Sequence, residues 1–216
     1  MQSRQSLSGL SDALTRAMAA RDGLTQQHSQ RVQQWAVALA HEIGVTDSLM
    51  LDAIHSASLL HDIGKLGIPD LLLLKPGPLT RDEYEQVKEH VTIGADILTA
   101  AAFPNSLTLI VRHHHENWDG TGYPDRLRGE AIPVGARVLA IVDCYDALIS
   151  DRPYRRALSH GSAVAMIHER RGTMYDADIA DMFLRTVQRQ RPASPDGGAD
   201  RPRTRASTPW LEARAG

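Results

Sequence analysis

The chain has 216 residues, 42% of them hydrophobic, enough to bury one core of ordinary size or slightly more. A formal net charge of −2 and an aromatic content of 5% exclude a polycationic nucleic-acid binder and a base-stacking surface, so no nucleic-acid polymer is expected as a partner. The one cysteine, Cys144, excludes an internal disulfide and fits a reducing compartment, while ten histidines raise the prior for a metal site.

Residues 1–9 are polar and lack the apolar segment of a secretory signal. No apolar run approaches the ~20 residues that span a bilayer, so the expectation is a soluble cytoplasmic protein without membrane contact. Residues 1–22 read as a short helical extension with Leu7, Leu10, Leu14 and Met18 along one side, a candidate contact for a homodimer. Asp22-Gly23 breaks it, and Thr25 is the expected N-cap of a helix reaching Ile43-Gly44. Val32, Trp35, Ala36, Leu39 and Ile43 repeat there at helical spacing, and His28 lies on the same stripe. Ser48 is expected to start a helix that runs through Ile63, with Leu51, Ile54, Ala57, Ser58 and His61 on one face. Gly64, Gly67 and Pro69 end it, and residues 66–79 read as loop.

Thr80-Arg81-Asp82-Glu83 has the form of a capping box. One helix is expected to follow it, with Tyr84, Val87, His90, Val91, Gly94, Ile97 and Leu98 on its inner stripe. Pro104-Asn105 turns the chain into a helix ending near His115, and residues 117–133, rich in glycine and proline, read as an ordered loop. A long apolar helix over 134–150 spaces Leu139, Asp143, Asp146 and Ser150 by three or four residues. Two more helices are expected over 162–170 and 177–190. Residues 191–216 carry four prolines and no apolar period, and read as a disordered tail. With no β alternation and no repeat, the expected fold is all-α, with about seven to nine helices.

Four separate helices thus place His28, His61, His90 and Asp143 in register with apolar stripes. A lone inward histidine is ordinarily a hydrogen-bonded core residue. Several inward imidazoles and carboxylates together need partners, and metal ions satisfy them at once.

The stretches HDIGKLGIPDLLLLKPGPLT (61–80), HHENWDGTGYPDRLRGEAIP (114–133) and DCYDALISDRPYRRALS (143–159) resemble the HD-GYP domain. This is the variant of the HD phosphohydrolase superfamily that hydrolyses cyclic di-GMP. The resemblance runs from about residue 25 to 185 and implies an HD-type helical bundle over 23–190. It also implies a metal-dependent phosphodiesterase that opens cyclic di-GMP to pGpG, with onward cleavage to GMP left open. The implied ligands are His28, His61, Asp62, His90, His114, His115 and Asp143. Asp62 would bridge two ions, one held by His28, His61 and Asp143 and the other by His90, His114 and His115, with a hydroxide between them. Two such ions acidify a shared water and clamp the oxygens of an in-line displacement.

Lys65 is placed to stabilise charge on a phosphate oxygen and Asp146 to orient a ligand or the nucleophile. Tyr123 would contact phosphate or base, and Arg152 and Arg155 would meet substrate phosphates. His113 is read as lying outside the ligand set, Glu116 as holding a histidine tautomer, and Cys144 as a small buried hydrophobe. His41, His55, His160 and His168 are assigned to surface or capping roles. Family members with a third metal carry a carboxylate where this chain has Leu24, which favours two ions. Iron or manganese suits the mixed ligands. Diguanylate cyclase (GGDEF) proteins, or a separate sensor or receiver protein, are the implied partners. The competing readings are a hydrolase of another cyclic dinucleotide or phosphoester, and a catalytically silent nucleotide- or partner-binding module.

Overall fold

The computed structural model describes residues 2–21, 23–151 and 156–190. Among these the chain forms ten α-helices and no strand; one isolated bridge pairs Arg171 with Tyr175. The helices are α1 (Gln2–Arg21), α2 (Gly23–Glu42), α3 (Ser48–Leu60), α4 (Asp70–Leu73), α5 (Arg81–Lys88), α6 (His90–Ala100), α7 (Asn105–His113), α8 (Val134–Ile149), α9 (His160–Glu169) and α10 (Ala177–Gln190). Nine of them have eight residues or more, and the fold is the expected all-α bundle.

The bundle is built around α8. A helix that is apolar on every side belongs inside, and every residue from Val138 to Val142 is buried. Helices α2, α3, α7, α9 and α10 pack around it. Phe183, Leu39, Ile54, Ile110, Leu139 and Ile167 are among the largest fully enclosed side chains. No helix of the described residues is long and apolar enough to cross a membrane.

Several boundaries differ from the sequence expectation, each for a local reason. α2 already starts at Gly23, so Thr25 lies in its first turn rather than capping it. α3 starts at Ser48 as expected, capped by Asp47, whose carboxylate accepts the Leu49 N–H at 3.1 Å. α3 stops at Leu60, and residues Ile63–Gly67 wind as a 3-10 turn instead of extending it. The Thr80–Glu83 capping box forms, with the Thr80 N–H on Glu83 Oε2 at 2.7 Å and the Glu83 N–H on Thr80 Oγ1 at 3.3 Å. The helix it opens is broken at Glu89, whose N–H closes a tight turn onto the Gln86 carbonyl at 3.2 Å. Asp70–Leu73 makes one helical turn inside the expected loop, and Ser159 caps α9 two residues earlier than expected. α1 packs on α2 and α3 with Met18 buried and Leu10 and Leu14 against the core, so these three residues of its apolar stripe face the bundle. The expected tail, 191–216, lies outside the described residues.

One close approach decides how the site is assembled. The 3-10 turn after His61-Asp62 packs against α6. A Cβ on Gly64 would overlap the His90 carbonyl oxygen and the Gly94 amide. Only glycine lets the two backbones come this near, and the contact sets His61-Asp62 beside His90.

Candidate metal centre

Three candidate ligands share one local construction. The last carbonyls of a helix have no partner within it. His61 caps α3, His114 caps α7, and His90 sits just past the end of α5. Each ring donates its Nδ1–H to the carbonyl three residues back: His61 to Ser58 at 2.9 Å, His90 to Val87 at 2.8 Å and His114 to Val111 at 2.7 Å. That bond fixes the tautomer and turns Nε2 inward as an acceptor. All three Nε2 atoms are buried and none has a hydrogen-bond partner.

These orphaned nitrogens converge. The rings of His61 and His114 lie 5.3 Å apart, those of His90 and His114 5.6 Å, and those of His90 and His115 5.1 Å. Two groups have geometry that could hold a cation: His90 with His114 and His115, and His28 with His61 and Asp62. Asp62 stands between them, with Oδ2 3.5 Å from His61 Nε2 and Oδ1 3.8 Å from His90 Nε2. Asp143 faces the His28–His61 group, with Oδ1 3.2 Å from His28 Nε2 and 3.8 Å from His61 Nε2. A buried acceptor without a donor costs about 1–3 kcal/mol, so three in one cluster fit a site built for cations. Soft imidazole and hard carboxylate together suit a first-row divalent metal.

The electrostatics divide the cluster. Burial pushes His90 down to about 4 against the opposing charge of Asp62, and burial together with His61 and His90 pushes His114 down to about 3. Both rings are therefore neutral, as a ligand must be. For His28, burial acts downward, but its hydrogen bonds to Asp143 and Asp146 outweigh it and raise the ring to about 9. Burial opposes ionisation of Asp62, yet Lys65, His61 and His90 hold its carboxyl well below the usual range.

Around the candidate ligands the expected residues fall as follows. Asp146 accepts the His28 Nδ1–H at 2.7 Å. The Lys65 ammonium lies 2.6 Å from Asp62 Oδ2, and the Tyr123 ring 5.0 Å from that of His115. His113 points away from the cluster: Nδ1 meets the Leu109 carbonyl and Nε2 meets Asp125 Oδ2, both at 2.9 Å. Glu116 holds no histidine. Its Oε1 accepts the Asp125 N–H at 2.8 Å and so fixes the loop backbone, because backbone carbonyls already hold the tautomers. Cys144 is buried in the core; His41, His55 and His168 are exposed; His160 Nδ1 lies 2.7 Å from the Tyr145 hydroxyl. Arg152 and Arg155 lie outside the described residues, as does the side chain of Leu24.

Sequence reasoning missed Arg31. Its guanidinium grips Asp146 with Nε on Oδ1 at 2.6 Å and one Nη on Oδ2 at 2.9 Å, and the same Nη reaches Ser150 Oγ at 3.0 Å. The only signal was its position three residues after His28, which puts both side chains on one face of α2.

The HD domain family model matches residues 12–179. The chain belongs to the HD domain family. It is 42% identical over 174 residues to the cyclic di-GMP phosphodiesterase response regulator RpfG of Xanthomonas campestris pv. campestris, covering 80% of this chain and 46% of that protein. It is 36% identical over 173 residues to the 3'3'-cGAMP-specific phosphodiesterase 2 of Vibrio cholerae, covering 79% of this chain and 33% of that one. The chain thus spans less than half the length of these curated relatives. A crystal structure of a cyclic GMP-AMP specific phosphodiesterase of V. cholerae superposes with a TM-score of 0.67 at 18% identity, covering 85% of this chain and 49% of that one, which shows a shared HD fold.

Proposed function

We propose that this chain is a metal-dependent phosphodiesterase that opens cyclic di-GMP to pGpG. The observation that carries the reading is a cluster of three buried, unpartnered Nε2 atoms, two of them, on His61 and His90, within 3.8 Å of the Asp62 carboxylate. The name carried by the 42%-identical relative supports the substrate.

In this reading His28, His61 and Asp143 would hold one divalent ion and His90, His114 and His115 the other, with Asp62 placed to serve both. Such ions, iron or manganese, supply an acidified water and charge neutralisation at the phosphodiester. The chain's own groups do the rest. Asp146 keeps the His28 ring turned toward the centre, and Arg31 keeps Asp146 turned toward His28. Lys65, already beside Asp62, stabilises charge that builds on a non-bridging phosphate oxygen. Tyr123 flanks the site next to His115. Arg152 and Arg155 are the proposed partners of the substrate phosphates. A cytoplasmic location, GGDEF or sensor partners and a homodimer belong to the same proposal; Met18 is buried and Leu10 and Leu14 pack against the core, which leaves these three side chains unsuited to the dimer contact.

The test is direct. Protein loaded with iron or with manganese is incubated with cyclic di-GMP and the products are separated by chromatography. Linear pGpG is expected; no turnover with either metal refutes the reading. A second reading, hydrolysis of 3'3'-cGAMP, is favoured by the 36%-identical relative that carries that specificity in its name. Competition between the two dinucleotides separates them.

A further inference from the structure

Beside the metal centre, α5 and the glycine-rich loop enclose a cleft of about 1020 Å³. Tyr84, Lys88 and Thr92 line one side of it, and Gly120, Tyr123 and Arg126 the other. It adjoins the centre by two routes. Lys88 stands two residues before His90, and the ring of Tyr123 lies 5.0 Å from that of His115. The Lys88 ammonium lies between two aromatic rings, 5.0 Å from the centroid of Tyr84 and 5.2 Å from that of Tyr123. Its carboxylate partner is Glu85 Oε1 at 2.7 Å, on a side chain that is itself mostly exposed.

From this arrangement we infer that the cleft is a base subsite and that Lys88 selects guanine over adenine in it. The inference rests on the cyclic-dinucleotide reading above. Two tyrosine rings provide faces on which a planar base can stack, and stacking accepts any base. Selectivity has to come from the cation. An ammonium offers donors and no acceptor. Guanine presents two adjacent acceptors, O6 and N7, to such a group; adenine presents N7 beside the N6 amino donor. With guanine the Lys88 donors are satisfied; with adenine one of them faces another donor. The base then enters one nucleotide away from the phosphodiester held at the ions, which matches a cleft that adjoins His90 and His115. Glu85 is exposed enough to be solvated by water when Lys88 turns to the base.

The test uses the full chain loaded with manganese and non-hydrolysable phosphorothioate analogues of cyclic di-GMP and cyclic di-AMP, with affinities read by calorimetry. The wild type is expected to prefer the guanine analogue by about tenfold or more. Lys88→Gln should reduce that preference by about tenfold or more, because an amide side chain pairs with the N6/N7 edge of adenine instead. Lys88→Arg should keep the preference, since a guanidinium also reads O6 and N7. Tyr84→Ala should weaken both analogues alike. A structural role for Lys88, as a staple between α5 and the loop, would change both affinities together and leave their ratio intact. A ratio that stays the same in Lys88→Gln, or no guanine preference in the wild type, overturns the inference. Failure of the phosphodiesterase reading looks different: guanine preference and its loss in Lys88→Gln would persist while no dinucleotide is cleaved.

Discussion

Replacing Gly64 by alanine adds one methyl group where the 3-10 turn meets α6. That carbon would lie on the His90 carbonyl oxygen and against the Gly94 amide, both backbone atoms of a packed helix. A side-chain neighbour could change rotamer; these atoms can move only if the helix moves. Inserting a methylene into a packed interior costs about 1–3 kcal/mol, and a backbone neighbour places this case at the upper end. For a chain of this size about 3 kcal/mol corresponds to a drop in melting temperature of roughly 6–12 °C. The displacement also pushes His61-Asp62 away from His90, so bound metal should fall with stability. Calorimetric melting of the metal-free protein isolates the packing effect, and elemental analysis of the loaded protein reads the site. A Gly64→Ala protein that melts within about 2 °C of the wild type and keeps its full metal content would refute the claim that this contact sets the geometry of the centre.

His114→Ala removes one inward nitrogen and a single hydrogen bond to Val111; elemental analysis should show bound metal per chain falling by about half, and an unchanged content would remove His114 from the ligand set. Asp146→Asn leaves the shape of the side chain but discharges the group shared by His28 and Arg31. Metal affinity measured by chelator competition should fall by about 10–100-fold, and no change would show that His28 is oriented without it. Asp125 supplies a pH prediction. The Arg112 guanidinium, bonded at 2.7 and 2.8 Å, and His113 hold its carboxyl down at about 2. A depressed carboxyl stabilises the fold above its unfolded value of about 3.9 and loses that contribution as pH falls toward its folded value. The stability gap between wild type and Asp125→Asn, measured by urea unfolding of the metal-free proteins, should stay level from neutrality to about pH 5 and close between about pH 4 and 2. A gap that closes near neutrality instead would assign it to another group.

His28, His61 and His90 were readable because each shares a stripe with apolar residues, and a helix that buries Val32 or Ile54 cannot leave His28 or His61 in water; His114 and His115 entered only through the family resemblance. Long amphipathic segments were readable for the same reason, and α10 follows its expected bounds of 177–190. Periodicity could not reveal the break at Glu89. The stripe from Tyr84 to Leu98 continues across it, and Glu89 itself keeps a helical backbone conformation, so the tight turn leaves no mark on the pattern. The packing of α1 was hidden because Leu10, Leu14 and Met18 make the same stripe whether they meet their own core or another chain. Arg31 was hidden because a charged residue near a helix start usually faces water; its side chain is 41% exposed and only the guanidinium end is engaged. Glu116 misled because a carboxylate next to two ligands suggests a partner for a ring, whereas the acceptors used were backbone atoms, which leave no trace in the residue types.

That use of backbone makes the two halves of the centre unequal before mutation. The rings of His61, His90 and His114 hang from the carbonyls of residues 58, 87 and 111. No side-chain substitution at those three positions can delete the acceptor. Their orientation is inherited from the helix ends and survives sequence drift around them. His28 has no such insurance, because its support is the carboxylate of Asp146, and a single-nucleotide change can remove it. The ordering entropy of the three backbone-hung rings is lost when the helices form, so an arriving ion does not have to order them.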